Sequence, residues 1–286
     1  MSSGGPVKAG QDFSIHFLPP NREFLMLKRI RCAVAIFILP VFATLTLLGA
    51  QPALADQRDD FIAGRTKSCP GCDLSGLNFK RKDLSGAILS GARLVDANFH
   101  DARLQGAKLN DADLTGANLN KAELLRADLS GAKLADAMMY AARLDGAIMM
   151  GADLSQAMMG AARASRTDFT GAILRGVDLR KARIAESKFN NADMTQVAMD
   201  FTFARGGVFD GANMAGARLI NAEFIDAHMA KADLSNVDAY GAKFREADFS
   251  SAILASASFK KADMTNVKFD GTFFDRTQMP DGTIAP

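Results

Sequence analysis

The residues best suited to chemistry in this chain stand together at Cys69-Pro70-Gly71-Cys72. A C-x-x-C can be a redox pair, half of a zinc site, or a disulfide in an exported protein. Zinc needs a second pair of ligands. No second C-x-x-C exists, and past the leader described below only His100 and His228 are available. Gly64-Arg65-Thr66-Lys67-Ser68 approaches a phosphate loop but lacks the first Gly at the right distance and the Gly before Lys. There is no Ser/His/Asp arrangement and no glycine-rich cradle, so no catalytic, cofactor-binding or metal-ligating residue is assigned. A structural place in the core, as a disulfide or as free thiols, is the favoured reading of Cys69 and Cys72, with the redox pair the lesser one.

What must position these residues is a repeat that counts in fives. Every fifth residue from Leu74 to Met279 is Leu, Ile, Met or Phe, apart from Ala164, Ala204 and Ala239, and no insertion breaks the frame. Two residues before each of these centres lies a smaller series, mostly Ala: Ala87, Ala92, Ala97, Ala102. Five matches neither the 3.6 of a helix nor the indefinite alternation of a long strand. It suits a very short extended stretch followed by a corner. Centre and small residue then point inward together, the residue between them points outward, and the next two, rich in Ser, Gly, Asp, Asn and Lys, make a bend. One such unit buries nothing alone, so the units must coil and stack.

The outward charges set the number of sides. Residues one turn apart lie on adjacent coils about 4.8 Å apart, where opposite signs are favoured. A spacing of twenty gives Asp73–Arg93–Asp113–Lys133–Asp153, Asp83–Arg103–Glu123–Arg143 and Glu223–Lys243–Asp263. Over all outward positions it yields thirteen opposite pairs against two like ones, Arg143–Arg163 and Arg163–Arg183. Spacings of fifteen and twenty-five give mostly like pairs. Four units make a turn, and the cross-section is square. Val177, Val197, Val237 and Val267 should swell the coil locally, and Gly207 should thin it.

Runs such as Ala112-Asp113-Leu114-Thr115-Gly116 and Ala117-Asn118-Leu119 resemble the A-(D/N)-L-x-x signature of the pentapeptide-repeat family. The resemblance covers essentially everything after residue 68. It implies an all-β fold, a right-handed quadrilateral parallel β-helix, here of about ten coils. Some members of that family imitate duplex DNA and bind type II topoisomerases. That role implies an acidic rod in the cytoplasm.

Residues 27–55 read as an export signal: Lys28, Arg29 and Arg31, an apolar run from Cys32 to Leu48, and Ala53-Leu54-Ala55 as an A-x-A site with cleavage after Ala55. Met26 would open a signal of conventional length, leaving 1–25 as an extension or outside the translated protein. An uncleaved leader anchoring the chain in the inner membrane is the alternative. Residues 56–68 are read as a cap, a short helix or loop laying Phe61 and Ile62 over the first coil, 69–279 as the β-helix and 280–286 as a tail. Removing 1–55 changes the formal net charge from +2 to −1. A surface so balanced recommends neither nucleic acid nor an anionic membrane as partner.

Two stretches break the regular surface. Met138 and Met158 stack on one face, and Phe201 and Phe203 occupy a bend and an outward position beside Ala204. One of these two Phe is expected to curl over and fill the space Ala204 leaves; the functional reading is that Phe201 and Phe203, like Met138 and Met158, contact a partner. Arg143, Arg163 and Arg183 form a like-charge column open to an anion or an acidic partner, unless their long side chains splay into water. With no cofactor and no small-molecule substrate in view, the sequence points to a non-catalytic exported scaffold or protein-binding module, in the periplasm or a compartment such as the thylakoid lumen. The DNA-mimic topoisomerase-binding protein is the alternative.

Overall fold

The computed structural model describes residues 52–285, with side chains from residue 56. The expected leader therefore lies outside the described residues except for its last four positions. From Ser68 onward the chain winds in coils of twenty residues. Every parallel bridge, from Ser68–Ile88 to Ser258–Gln278, joins a residue to the one twenty later. The bridging residues are the outward ones, one to each side of the square.

One unit shows how the backbone is satisfied. Ala112 N–H closes the preceding corner on Leu109 O at 3.1 Å. Asp113 N–H reaches back to Ala92 O at 2.9 Å, while Leu114 N–H and Gly116 N–H reach forward to Lys133 O and Ala135 O at 2.7 and 2.9 Å. Only Thr115 N–H is left over, and the Asp113 carboxylate accepts it at 3.1 Å. All five donors thus have partners, which is what a buried backbone requires. The Thr115 hydroxyl donates to the same oxygen at 2.7 Å, and Asp128–Ser130, Asp153–Ser155 and Asp193–Thr195 repeat the arrangement. The D-x-(S/T) rhythm is therefore the chemistry of the corner.

Each corner is a four-residue turn whose third residue is left-handed. From Gly71 to Arg276 every second bend residue has φ between 52° and 71°. A positive φ at the third residue alone is the type II pattern, and it favours Gly while penalising a β-branched side chain. None of these positions is Val, Ile or Thr.

Inside, the centres stack coil on coil. Phe169, Phe189 and Phe209 lie face to face at 4.8 and 4.9 Å, as do Phe79–Phe99 at 5.1 Å and Phe224–Phe244 at 5.3 Å. Each such buried side chain contributes roughly 1.5–3 kcal/mol, against roughly 0–1 kcal/mol for an exposed ion pair. The ladder holds the rod, and pairs such as Lys243–Glu223 at 2.7 Å and Arg143–Glu123 at 3.2 Å only mark its register. Where the small inward site carries a hydroxyl, as at Thr167, Ser187 and Thr202, it donates to the centre carbonyl twenty-three residues earlier.

The ends are closed differently. Helix α1, Pro52–Ile62, covers the first coil. Its Phe61 is buried edge-on against Phe79 at 5.8 Å, but Ile62 is 44% exposed, so Phe61 alone plugs the core. The first coil has no earlier coil to donate to its carbonyls, and side chains take over. Gln57 Nε2 donates to Ser68 O at 3.2 Å, Arg58 Nε to Asp73 O at 2.8 Å and Lys67 Nζ to Ser85 O at 3.0 Å. At the other end β1, Thr277–Gln278, pairs antiparallel with β2, Ile284–Ala285. The stretch expected to be a simple tail folds back as a hairpin through Pro280-Asp281-Gly282.

Gly207 answers to a ring. A Cβ there would stand 2.7 Å from the Phe209 ring, which also meets Phe224 edge-on at 5.5 Å. Phe224 is the centre one coil beyond Ala204. The expectation that a Phe of this stretch curls inward is corrected: Phe201 and Phe203 are 49% and 42% exposed, Phe201 at the left-handed bend position and Phe203 at an outward one.

Candidate interaction surface

Cys69 and Cys72 are buried at the first corner, and their sulfurs are bonded at 1.97 Å. The pair sits beneath α1, with Cys69 Sγ 3.8 Å from Gln57 O. Its surroundings are the first coil and the cap, which leaves it no approach for a substrate.

Met138 and Met158 bridge one another on one face, Met158 half exposed. At the corner that follows this face stands Tyr140, 56% exposed, with its ring 3.4 Å from where a Cβ on Gly160 would lie. Tyr140, Gly160, Ala161, Asp178, Arg180 and Lys181 line an open depression of about 330 Å³. Farther along the same corner come Phe201 and then Tyr240, both exposed. Phe203, 42% exposed, lies on the next face just past the corner. The two stretches that look separate in the sequence thus converge on one edge of the rod, which also carries both tyrosines of the chain.

The arginine column is stacked as expected, through the 143–163 and 163–183 bridges, and its charges are led apart. Arg143 pairs with Glu123 at 3.2 Å, Arg163 reaches sideways to Asp145 at 4.0 Å, and the Arg183 guanidinium lies 5.4 Å over the Phe203 ring. No three of them converge on a point where an anion would sit.

Sequence reasoning missed the charged cluster between the two apolar stretches. Asp200 occupies a bend position, yet it is buried, and Arg218 grips both of its oxygens at 2.9 and 2.8 Å. That bond and the attraction of Asp200 raise the already high pKa of Arg218. Beside it Arg180 holds Asp178 in a bidentate pair at 2.9 and 2.7 Å, keeping the Asp178 carboxyl below its usual range. The spacing of eighteen between Asp200 and Arg218 was the available signal, one coil less the step from bend to outward position. Among the described residues no group of three or more His, Cys, Asp or Glu is placed to hold a metal ion, and no helix is long and apolar enough to cross a membrane.

These features define a β-solenoid of five-residue units that offers surface along its sides. The pentapeptide-repeat model matches residues 69–106, 97–136, 127–156, 162–198, 208–238 and 242–278, together more than half of the chain. The chain belongs to the pentapeptide-repeat family, and its coil is the right-handed quadrilateral β-helix of that family. The match is to no catalytic family. Among solved structures it is similar to HetL, a pentapeptide repeat protein involved in heterocyst differentiation regulation from the cyanobacterium Nostoc sp. strain PCC 7120. The identity is 24%, over 81% of this chain and 98% of that one, with a TM-score of 0.38. QnrB1, a plasmid-mediated fluoroquinolone resistance protein, is 19% identical over 71% and 92%, with a TM-score of 0.34. A pentapeptide repeat protein of the Arabidopsis thaliana thylakoid lumen is 30% identical over 47% and 70%, with a TM-score of 0.29. No curated protein matches the chain. The family assignment rests on the repeats and takes nothing from these superpositions.

Proposed function

We propose that this chain is a non-catalytic, exported protein-binding rod that engages its partner along one edge. The observation that carries the reading is the gathering of Tyr140, Phe201 and Tyr240 on a single edge, with Phe203, Met138 and Met158 beside them, whereas Ile88, Ile148, Met150, Ile253 and Phe273, exposed around the diagonally opposite edge, include one aromatic. Large aromatic and methionine side chains left in water along one line serve contact with another protein. The alternation of sign along the outward columns argues against a DNA-like role toward a topoisomerase, which calls for continuous negative charge. Export is supported by the basic start, apolar run and A-x-A site before Asp56, and by the Cys69–Cys72 bond, which suits an oxidising compartment.

A photoreactive residue at position 201, set against one at position 113 on another face, tests the edge in native cells. Covalent capture of a protein at 201 and not at 113 is expected; equal capture at both, or none, contradicts the reading. N-terminal sequencing of the protein from fractionated cells tests export. Asp56 is the expected first residue, and a cytosolic protein beginning at Met1 or Met26 contradicts it.

A further inference from the structure

The edge that carries the exposed aromatics is also the basic one. Its bend positions, from Lys80-Arg81 to Lys260-Lys261, hold seven Lys or Arg against two Asp, Asp101 and Asp200. The diagonally opposite edge, from Ser90-Gly91 to Asp270-Gly271, holds one Lys against three Asp. The edge through Arg126 and Arg245 is balanced at four against four, and the edge through Asp96 and Arg175 carries two against three. The near-neutral net charge therefore hides an uneven distribution, positive along the edge where Tyr140, Phe201 and Tyr240 stand.

Cations and aromatics adjoin along this edge. Lys121 is followed one coil later by Tyr140, and Lys181 one coil later by Phe201; in the third step the order reverses, Tyr240 being followed one coil later by Lys260 and Lys261. Lys121, Lys181 and Lys260 are therefore three and then four coils apart, about 14 and 19 Å at a coil spacing of ~4.8 Å. All six of these steps' side chains at 121, 140, 181, 201, 240 and 260 are exposed. Lys121, Lys181 and Lys260 have no carboxylate within 4.0 Å among the described residues, whereas the arginines nearby are already engaged by Asp178, Asp200 or an aromatic ring. The lysines are thus the charges left for a partner.

An extended polypeptide rises ~3.3 Å per residue, so about 14 Å is close to four residues and about 19 Å close to six. Resting on the protein-binding reading above, we propose that this edge docks an extended acidic segment whose successive carboxylates stand four and then six residues apart, each with an apolar side chain two residues away on the same face. Nucleic acid fits less well. Duplex DNA carries a charge every ~1.7 Å of axis, many times denser than lysine sites about 14 and 19 Å apart. Residues i, i+2 and i+4 of a strand share a face, so such a segment turns carboxylates and apolar groups toward the edge together.

The test uses the full mature chain and a fluorescent peptide, Glu-Gly-Leu-Ser-Glu-Gly-Leu-Ser-Leu-Ser-Glu. Two triple variants carry the same change in net charge. Lys121→Glu/Lys181→Glu/Lys260→Glu alters the edge, and Lys133→Glu/Lys188→Glu/Lys231→Glu alters other sides. All six positions are exposed, and unchanged thermal melting confirms that both variants fold. The expected result is binding by the unaltered protein that weakens at least about tenfold in the edge variant and less than about twofold in the other. A peptide of the same composition with Glu every third residue should bind weaker than this one. Equal loss in both variants, no binding at low salt, or tighter binding of a single-stranded oligonucleotide overturns the proposal. Photo-crosslinking at position 201 in cells carrying the edge variant separates the two readings. A partner captured undiminished removes the acidic-segment proposal and keeps the protein-binding one, and no capture even in the unaltered protein removes both.

Discussion

Single residues in this rod answer to two demands, the corner and the stack. Gly207→Ala puts a methyl 2.7 Å from the Phe209 ring without any backbone penalty, and overpacking of this kind costs about 1–3 kcal/mol; urea unfolding should show that loss. Gly106 has open space around it but φ of 63°, so Gly106→Val isolates the backbone cost of a left-handed β-branched residue, about 1–2 kcal/mol, while Gly106→Asn should be nearly neutral. The period exposed the centre and outward positions in the sequence because hydrophobicity and charge both report them. It did not expose the left-handed bends, where Lys121, Arg126 and Phe201 stand as readily as Gly; the only trace is the missing Val, Ile and Thr. Nor could it show Gly207's role, which depends on the direction a ring takes inside the core.

Corners and caps, one level up, give the rod its response to acid and to damage at an end. Asp83, Asp113, Asp248 and Asp263 are held below the usual carboxylate range, first of all by the hydroxyl of the Ser or Thr two residues later. A carboxyl whose folded pKa is lowered contributes stability that is complete above its unfolded value and is lost as pH falls through the folded one. The melting temperature should therefore be level from about pH 8 to 5 and decline below about pH 4. Thr115→Ala should raise the Asp113 pKa toward its ordinary value, as followed by carboxyl NMR shifts. At the N-terminal end Phe61→Ala should remove about 3 kcal/mol, felt mainly by the first coils because a solenoid is stabilised neighbour by neighbour. Hydrogen exchange should quicken from Ser68 to Leu89 and stay unchanged from Phe209 to Phe259; uniform quickening would sink the idea of local coupling. That Phe61 lies over the first coil was legible from the lost frame before Cys69. That Gln57, Arg58 and Lys67 stand in for a missing coil was not, because the donors they replace appear only once the ladder is drawn.

At the largest scale, the coiled part from Ser68 to Gln278 is a square tube whose period of twenty decides everything lateral: which charges pair, which rings stack, and which exposed groups share an edge. Met138, Tyr140, Phe201 and Tyr240 are scattered over a hundred residues of sequence and fall on one side of the rod only when that period is applied corner by corner. Cysteine pairs across adjacent coils test it most directly. Asn98→Cys with Asn118→Cys places two residues one coil apart on the same face, joined by a parallel bridge and within the ~4.4–6.8 Å between Cα atoms that a disulfide spans. Under mild oxidation this pair should cross-link nearly completely, and Asn98→Cys with Asp113→Cys, on neighbouring sides, should not. Cross-linking of the second pair in preference to the first would contradict a four-sided coil.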